Sequence, residues 1–231
     1  MGLTYAIPDI HGRADLLRLA METIAGHAGA TPATVVTLGD YVDRGPQSRE
    51  VVELLMSWQS ATMRLVSLKG NHEAMMWEAC SGLCEWDWWI ENGGSDTLAS
   101  FGEGLGRFEM RDVAVSHLQW ISKLPLVHAD RHRVFVHAGV DPAVPLRAQS
   151  ERTLLWKRYS ERADIGHGRR HVVHGHHADV RAPLAGRYRT NLDGMAWKTG
   201  RLIVGVFDDD RPGNALEYLE ITGSSDRREV P

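Results

Sequence analysis

The sequence predicts an α/β fold, in which buried strands alternate with amphipathic helices along the first half of the chain. Short β-branched runs bounded by glycine and polar residues indicate strands, and apolar residues repeated every three or four positions indicate helices. The chain has 231 residues and 43% hydrophobic content, which is enough to bury the core of one large domain. We therefore expect a single domain over residues 1–223, and a tail over residues 224–231 that frays.

The elements of the first half are predicted in the order β-α-β-α-β. Strands are predicted over residues 3–7, 34–38 and 65–68. A helix is predicted over residues 14–24, because its apolar side chains form one stripe. A second helix is predicted over residues 46–58, where proline suits the first turn.

The second half of the chain has the pattern of hairpins. One is predicted between residues 124–128 and 133–136, around Asp130-Arg131. Another is predicted between residues 190–192 and 202–207, with its turn near Thr199-Gly200. A short buried strand is also predicted at Val172-Val173.

Five short polar motifs stand directly after apolar runs. They are Asp9-Ile10-His11-Gly12, Gly39-Asp40-Tyr41-Val42-Asp43-Arg44-Gly45, Gly70-Asn71-His72-Glu73, His137-Ala138-Gly139 and His174-Gly175-His176. In open α/β sheets ligands bind beyond the carboxyl ends of strands, so these motifs are expected to converge. Their carboxylates, carboxamide, imidazoles and arginine suit a pair of divalent metals that binds a phosphate.

The order and spacing of these motifs resemble the calcineurin-like metallophosphoesterases, and within them the phosphoprotein phosphatases of bacterial and phage type. The resemblance runs from Asp9 to His176. It implies two mixed β-sheets packed as a sandwich flanked by helices, with a dinuclear metal site at the carboxyl ends of strands. Two departures from the family pattern are Pro8 in place of glycine, and Asp193-Gly194-Met195-Ala196 in place of Asp-Thr-Gly-Ala.

The resemblance implies two divalent ions, with the acid of the second motif, Asp40, bridging them. The other implied ligands are Asp9 and His11 for the first metal, and Asn71, His137 and His176 for the second. Mixed nitrogen and oxygen ligands favour Mn²⁺, with Fe or Zn as alternatives. The alternative for the acids and the amide is that they only form turns after strands.

The fifth motif contains more than one histidine that could bind metal. The family pattern puts the ligand after glycine, which selects His176. His174 is then expected in the core, and His177 beside the metal ligands or in solvent.

The resemblance also implies a catalytic pair and a phosphate clamp. His72 would act as general acid, with Asp43 orienting the imidazole and raising its pKa. The alternative is a purely structural hydrogen bond. Arg44 would bind a phosphate oxygen, and Arg158 would be a second clamp unless it is a solvated residue of an amphipathic helix.

Residues 77–106 form a predicted insertion that is rich in tryptophan and glycine. It holds Trp77, Trp86, Trp88 and Trp89. These side chains fit either a rim that contacts substrate or a helix that packs on the core, and packing is favoured.

The function that the resemblance implies is hydrolysis of phosphoserine or phosphothreonine in proteins, by in-line attack of a metal-bridging hydroxide. The alternative is a symmetrical dinucleoside polyphosphate hydrolase of the diadenosine tetraphosphate type, or another small-molecule phosphatase of the same superfamily. Those hydrolases often lack the acid equivalent to Asp43, which favours the protein phosphatase. A non-enzymatic metal-binding scaffold is disfavoured, because every implied ligand and His72 are present.

Charge and hydropathy restrict the partners. The formal net charge is −4, so we expect neither a nucleic-acid polymer nor a membrane as partner, but a phosphoprotein or a phosphorylated small molecule. No apolar run reaches the ~18 residues that span a bilayer, and the first residues lack the pattern of a signal peptide. A cytoplasmic protein is expected, and the sequence leaves its oligomeric state open.

Overall fold

The computed structural model describes residues 2–102, 115–160 and 163–223 of the chain. In these ranges the strands are β1 (Leu3–Ile7), β2 (Ala33–Thr37), β3 (Met63–Ser67), β4 (Val127–Ala129), β5 (Arg133–Val136), β6 (His171–His174), β7 (Leu184–Ala185), β8 (Arg189–Asn191), β9 (Arg201–Asp208) and β10 (Glu217–Thr222). The helices are α1 (Ala14–Ala28), α2 (Ser48–Met56), α3 (Asn71–Cys80), α4 (Trp86–Trp89), α5 (Ser95–Phe101), α6 (Val115–Ser122), α7 (Glu151–Trp156) and α8 (Ala196–Thr199). A π-helical turn over Ile90–Gly94 joins α4 to α5, and a 3₁₀ turn over Leu146–Ala148 precedes α7.

The strands form two mixed five-stranded sheets, which confirms the fold that the resemblance implies. The first sheet has the order β10-β9-β1-β2-β3, and the second has the order β4-β5-β6-β8-β7. Strands β1, β2 and β3 are parallel, with Ile7 opposite Thr37 and Thr37 opposite Ser67. Strands β5, β6 and β8 are parallel in the second sheet. Each parallel set therefore ends at one edge, where the following loops meet.

The core lies in three layers around these sheets. Between the sheets, the rings of Phe135 on β5 and Phe207 on β9 meet edge to face, with centroids 5.8 Å apart. The outer face of the first sheet is covered by the apolar sides of helices α1, α2, α3, α5 and α6. The outer face of the second sheet packs against Leu154 of α7. Burial of these apolar faces supplies the main driving force for the fold.

The strands and helices predicted in the first half are confirmed with small shifts of their ends. Helix α1 extends four residues beyond the predicted end at Ile24, and α2 begins at Ser48, after the predicted proline start. The hairpin of β4 and β5 is also confirmed. The hairpin predicted between residues 190–192 and 202–207 is wrong, because β8 and β9 belong to different sheets. Strand β9 instead pairs with β1 and with β10, which was not predicted.

The tryptophan-rich insertion is helical where it is described. Trp77 lies in α3, and Trp86, Trp88 and Trp89 lie in α4. The end of the predicted insertion and the predicted fraying tail lie outside the described residues. None of the helices in the described ranges has the length and apolar character that a bilayer crossing requires.

Candidate dinuclear metal site

The polar motifs meet at the carboxyl ends of the parallel strands. Asp9 follows β1, Asp40 follows β2, and Asn71 begins α3 after β3. From the second sheet, His137 follows β5 and His176 follows β6. Both sheets therefore contribute to one buried cluster, because the carboxyl ends of their parallel strands lie on the same side of the fold.

The backbone of this cluster adopts a conformation that side-chain-bearing residues rarely take. Apart from Met195, the non-glycine residues reported with positive φ are all predicted site residues: His11 (44°), Asp40 (55°), Asp43 (73°), Arg44 (68°) and His176 (63°). Such backbone strain persists where the surrounding structure fixes it, and it clusters at functional sites. Here it directs the motif side chains into the cluster.

Two groups of potential metal ligands share one carboxylate. His11, Asp40 and His72 form one group, and Asp40, His137 and His176 form the other, each with ligand atoms within 4.8 Å of one another. Oδ2 of Asp40 lies 3.5 Å from Nε2 of His11, and Oδ1 lies 3.4 Å from Nε2 of His137. Asp40 is therefore placed to bridge two metals, which is the role that the resemblance implies.

Asn71 completes the second group. Its Oδ1 lies 2.7 Å from Nε2 of His137 and 2.9 Å from Nδ1 of His176. The two nitrogens are themselves 3.2 Å apart. Three potential metal-ligand atoms thus lie within 3.2 Å of one another. The ligands of a single cation are similarly close to one another.

Asp9 lies at the cluster but in neither of the two groups. Its carboxylate accepts hydrogen bonds from the backbone N–H of His176, at 3.1 Å to each oxygen. Gly175 permits this approach, because a Cβ there would collide with Asp9 Oδ2. The first group contains the imidazole of His72 in place of Asp9, although the resemblance implies that His72 is a general acid and Asp9 a metal ligand.

The charges of the cluster fit bound cations. Burial, followed by the charge of Asp193, raises the pKa of Asp9 well above its usual range. Burial and the charges of Asp9 and Glu73 do the same for Asp40. Burial lowers the pKa of His137 to about 3, which keeps the ring neutral. Crowded carboxylates and neutral imidazoles are what divalent metals bind, because the cations supply the missing positive charge.

His72 and Asp43 form the predicted pair. Nδ1 of His72 lies 2.6 Å from Oδ2 of Asp43, and both side chains are buried. Burial raises the pKa of Asp43 to about 7. The pKa of His72 is lowered by burial and by the charge of Arg44, whereas a raised pKa was expected. The cost of burying a charged ring outweighs the attraction of the carboxylate.

The insertion holds the carboxylate of this pair in place. Nε1 of Trp89 donates to both carboxylate oxygens of Asp43, at 3.0 Å each, and the Thr97 hydroxyl donates to Oδ1 at 2.7 Å. Trp89 is fully buried, whereas Trp88 is 51% exposed. Trp89 therefore packs in the core, which was the favoured alternative for the insertion. The neighbouring Trp88 lies at the surface, where a side chain that contacts substrate would have to be.

Arg44 lies across the mouth of the cluster. Its guanidinium donates to Nε2 of His11 at 2.9 Å and lies 3.0 Å from Nε2 of His72. The ring of Trp197 is 5.7 Å from the guanidinium carbon. Arg158 is exposed and lies two residues beyond the end of α7, so it is not part of a helix. Its charge nevertheless acts on His176 and Asp193.

The remaining histidines of the fifth motif have structural partners. His174 is fully buried, with Nδ1 2.8 Å from the Gly175 carbonyl and Nε2 3.0 Å from Arg189. His177 is half-buried, and its Nε2 accepts from the backbone N–H of Tyr159 at 3.1 Å. Neither ring belongs to the two ligand groups, which agrees with the selection of His176.

Two buried carboxylates at the site were not predicted. Glu73 accepts hydrogen bonds of 2.7 to 3.2 Å from the backbone N–H groups of Asp40, Tyr41, Val42 and Gly70, and so fixes the second motif against the start of α3. Its position three residues after Gly70 at a helix start was the available signal. Asp193 follows β8, and burial raises its pKa to about 6. Its signal was the position of an acid at a strand end.

Two grooves lie near His176: one is lined by Trp156, whose ring centroid is 6.3 Å from that of His176, and the other by the adjacent residue His177. The first, here called the tryptophan groove, has a volume of about 600 Å³, and its lining includes Ala74, Glu78, Trp88, Arg152, Leu155 and Trp156. The second, here called the arginine groove, has a volume of about 730 Å³, and its lining includes Arg158, Tyr159, His177, Arg181 and Arg189. The chain around Lys157 separates them, since residues 155 and 156 line one groove and residues 158 and 159 line the other.

Comparison with known proteins identifies the family of this arrangement. The profile of the calcineurin-like phosphoesterases matches residues 4–207. A symmetrical bis(5'-nucleosyl)-tetraphosphatase from Methylobacillus flagellatus is 30% identical over 192 residues, which are 83% of this chain and 60% of that protein. The chain thus spans about 60% of the length of this relative.

Solved structures share the fold. A crystal structure of a candidate diadenosine tetraphosphatase has a TM-score of 0.67 and 22% identity, over 96% of this chain and 94% of that one. A serine/threonine phosphatase from Saccharomyces cerevisiae has a TM-score of 0.61 and 15% identity, over 96% of this chain and 80% of that one. Because the family profile covers all five polar motifs and most of both sheets, this chain belongs to the calcineurin-like phosphoesterases.

Proposed function

We propose that the protein is a metal-dependent hydrolase of dinucleoside polyphosphates that cleaves the central anhydride and releases two nucleoside diphosphates. The observation that carries this proposal is the pair of grooves beside His176. A substrate with a nucleoside on each side of the scissile phosphate has two arms to accommodate. The relative that is 30% identical is named for this activity, which supports the same substrate class.

The surroundings of the cluster suit a polyphosphate. Arg44 lies at the cluster, and Arg158, Arg181 and Arg189 line the arginine groove. Guanidinium groups bind phosphate oxygens through paired N–H donors. A net charge of −4 gives no general attraction for anions, so these local arginines would provide it.

Two divalent ions, which we propose to be Mn²⁺, would be held by His11, Asp40, Asn71, His137 and His176, with Asp9 beside them. Bound there, they would supply Lewis acidity and an activated water. Mixed imidazole and oxygen ligands favour Mn²⁺ over Mg²⁺.

The protein's own groups would orient the substrate and move one proton. Arg44 would hold a non-bridging oxygen of the scissile phosphate. The oxygen of water forms the new bond to phosphorus while the central anhydride bond breaks. The leaving diphosphate takes a proton from Nε2 of His72, once the negative charge of the bound substrate offsets the burial and the Arg44 charge that lower the pKa of the ring. Asp43 keeps the ring oriented through Nδ1, at 2.6 Å. One substrate and one water thus yield two nucleoside diphosphates.

Hydrolysis of phosphoserine or phosphothreonine is the second candidate function. The buried pair of His72 and Asp43 favours it, because an alkoxide leaving group needs a proton more than a diphosphate does. The protein would in either case act on a phosphorylated substrate, and a cytoplasmic location, as expected from the sequence, suits both. We rank the dinucleotide first because of the two grooves.

Product analysis tests the first candidate. Diadenosine tetraphosphate is incubated with Mn²⁺-loaded protein, and the nucleotides are separated by anion-exchange chromatography. The expected product is ADP alone, at two equivalents per substrate. Equal amounts of ATP and AMP would contradict symmetrical cleavage. Absence of turnover, with rapid hydrolysis of a phosphoserine peptide by the same preparation, would favour the second candidate. The Asp40→Asn variant is the control for contaminating hydrolases.

A further inference from the structure

Part of the lining of the tryptophan groove comes from the helix face that begins at a candidate metal ligand. Asn71, Ala74 and Glu78 are separated by three and four residues, so they share one side of α3. Asn71 is at the cluster, and Ala74 and Glu78 line the groove. With a rise of 1.5 Å per residue, Glu78 lies about 10 Å along the helix from Asn71. The groove therefore lies along the side of α3 that starts at Asn71.

Indole side chains from two helices line this groove. Trp88 comes from α4 of the insertion and is 51% exposed, and Trp156 ends α7 and is 38% exposed. The ring of Trp156 meets that of His176 edge to face, with centroids 6.3 Å apart. An indole with this much exposed surface keeps a face available to a ligand, whereas the neighbouring Trp89 is fully buried.

The polar residues of the groove suit a nitrogenous ring. Glu78 and Glu151 carry carboxylates that can accept hydrogen bonds from exocyclic amino groups, and Arg152 carries N–H donors. All three are exposed, so they can reorient towards a ligand. A flat heterocycle with amino and acceptor groups at its edge matches this combination of aromatic surface and polar groups.

We propose that the tryptophan groove binds the purine base of a nucleotide substrate by stacking on Trp88 and Trp156. The inference rests on the proposed function, since it assigns a binding site to one nucleoside of that substrate. A ribose and two phosphates separate the base from the central bridging oxygen, which agrees with a groove whose lining residues on α3 lie beyond Asn71. The insertion thus has two roles, because Trp89 holds Asp43 while Trp88 contacts the base.

Substitution of Trp88 tests the stacking without touching the metal cluster. Calorimetry measures binding of ADP and of pyrophosphate to the Mn²⁺-loaded protein. Wild-type protein should bind ADP more tightly than pyrophosphate. Trp88→Ala should weaken ADP binding by roughly 5- to 100-fold, which is the usual effect of losing one stacked aromatic, and leave pyrophosphate binding unchanged. Trp88→Phe should restore most of the loss, because it retains a stacking face.

The matched control is Leu83→Ala, since Leu83 is 71% exposed in the same insertion and is not among the residues that line the groove. It should leave both affinities unchanged. Equal effects of Trp88→Ala on ADP and pyrophosphate, or no effect on either, would overturn the inference. The inference would also be overturned if Trp88→Ala raised the KM for a phosphoserine peptide and left ADP binding unchanged, because the groove would then hold peptide.

The proposed function is tested separately by turnover of diadenosine tetraphosphate in the wild-type protein. If turnover is absent and the ADP experiment succeeds, only the identity of the reaction is wrong. If turnover is present and ADP binding is insensitive to Trp88, only the base site is wrong.

Discussion

Nε1 of Trp89 donates to both carboxylate oxygens of Asp43, at 3.0 Å each, across 46 residues of sequence. The contact joins the insertion to the second metal-site motif. It also lowers the pKa of a carboxyl that burial otherwise raises. The insertion thus holds the Asp43 carboxylate, in addition to lining the tryptophan groove.

Trp89→Phe should lower kcat by roughly 10- to 100-fold, because a hydrogen bond to a charged group contributes about 1.5–3 kcal/mol. Loss of the donor should raise the pKa of Asp43 above its value of about 7, so the acid limb of the kcat profile should move to higher pH. Steady-state kinetics between about pH 5 and pH 9 would measure both effects. Trp58→Phe is the control, since the buried Nε1 of Trp58 has no hydrogen-bond partner among the described residues. An unmoved acid limb in Trp89→Phe would contradict this role.

Local patterns predicted much of the fold because each pattern is contained in a few residues. Strands β1, β2 and β3 combine β-branched runs with a polar residue at their ends, and the loops that follow them carry the motifs. Strand β10, Glu217–Thr222, was not predicted because most of its side chains are at least partly exposed. Strands β8 and β9 were wrongly paired because nearness in sequence does not decide which sheet a strand joins.

The first contacts around the metal cluster were predictable, and their supports were not. His72 and Asp43 belong to recognisable motifs, so their pairing could be expected. Thr97 reaches Asp43 across 54 residues, and no sequence spacing indicates such a contact. Glu73 has a local signal, its position three residues after Gly70 at a helix start, but its contacts with three backbone N–H groups of the second motif depend on the whole fold.

Asp40→Asn should weaken both metal sites together, because Asp40 belongs to both ligand groups. We expect the metal content after dialysis to fall from two Mn²⁺ per chain towards none. His137→Ala is the matched variant, since His137 belongs to one group only, and it should retain about one ion. Elemental analysis of the dialysed proteins would measure this. Retention of one tightly bound ion by Asp40→Asn would argue against a bridging carboxylate.

The metal-free protein should become less stable as pH rises from about 6.5 to about 8.5. Burial raises the pKa of Asp43 and Glu73 to about 7, while unfolded carboxyls ionise near pH 4. Across this window the folded state alone releases these protons, so the free energy of unfolding falls. The buried imidazoles have the opposite effect, because their lowered pKa makes the folded state more stable as the pH rises towards about 6.5. A window that starts at about pH 6.5, near the pKa of unfolded histidine, limits this effect.

Thermal denaturation with chelator and with Mn²⁺ would check this dependence. The melting temperature of the chelated protein should fall across the window, and Mn²⁺ should stabilise the protein most at the highest pH. A chelated protein that is equally stable at both ends would mean that its carboxylates are compensated by other groups.

His72→Asn should lower kcat by roughly 10²–10⁴ on phenyl phosphate, which is the usual contribution of a general acid. The loss on p-nitrophenyl phosphate should be smaller, because its leaving group needs less protonation. Rates on the two esters, compared in the same Mn²⁺ buffer, give the ratio directly. Identical losses would indicate that His72 acts on metal binding, as its place in the first ligand group allows.

The central claim concerns the substrate, and the most direct test is a ratio of specificity constants. The values of kcat/KM for diadenosine tetraphosphate and for a phosphoserine peptide should be measured on the same Mn²⁺-loaded protein. The two grooves beside His176 predict a higher value for the dinucleotide. A higher value for the phosphopeptide would contradict the account and identify the cluster as that of a protein phosphatase.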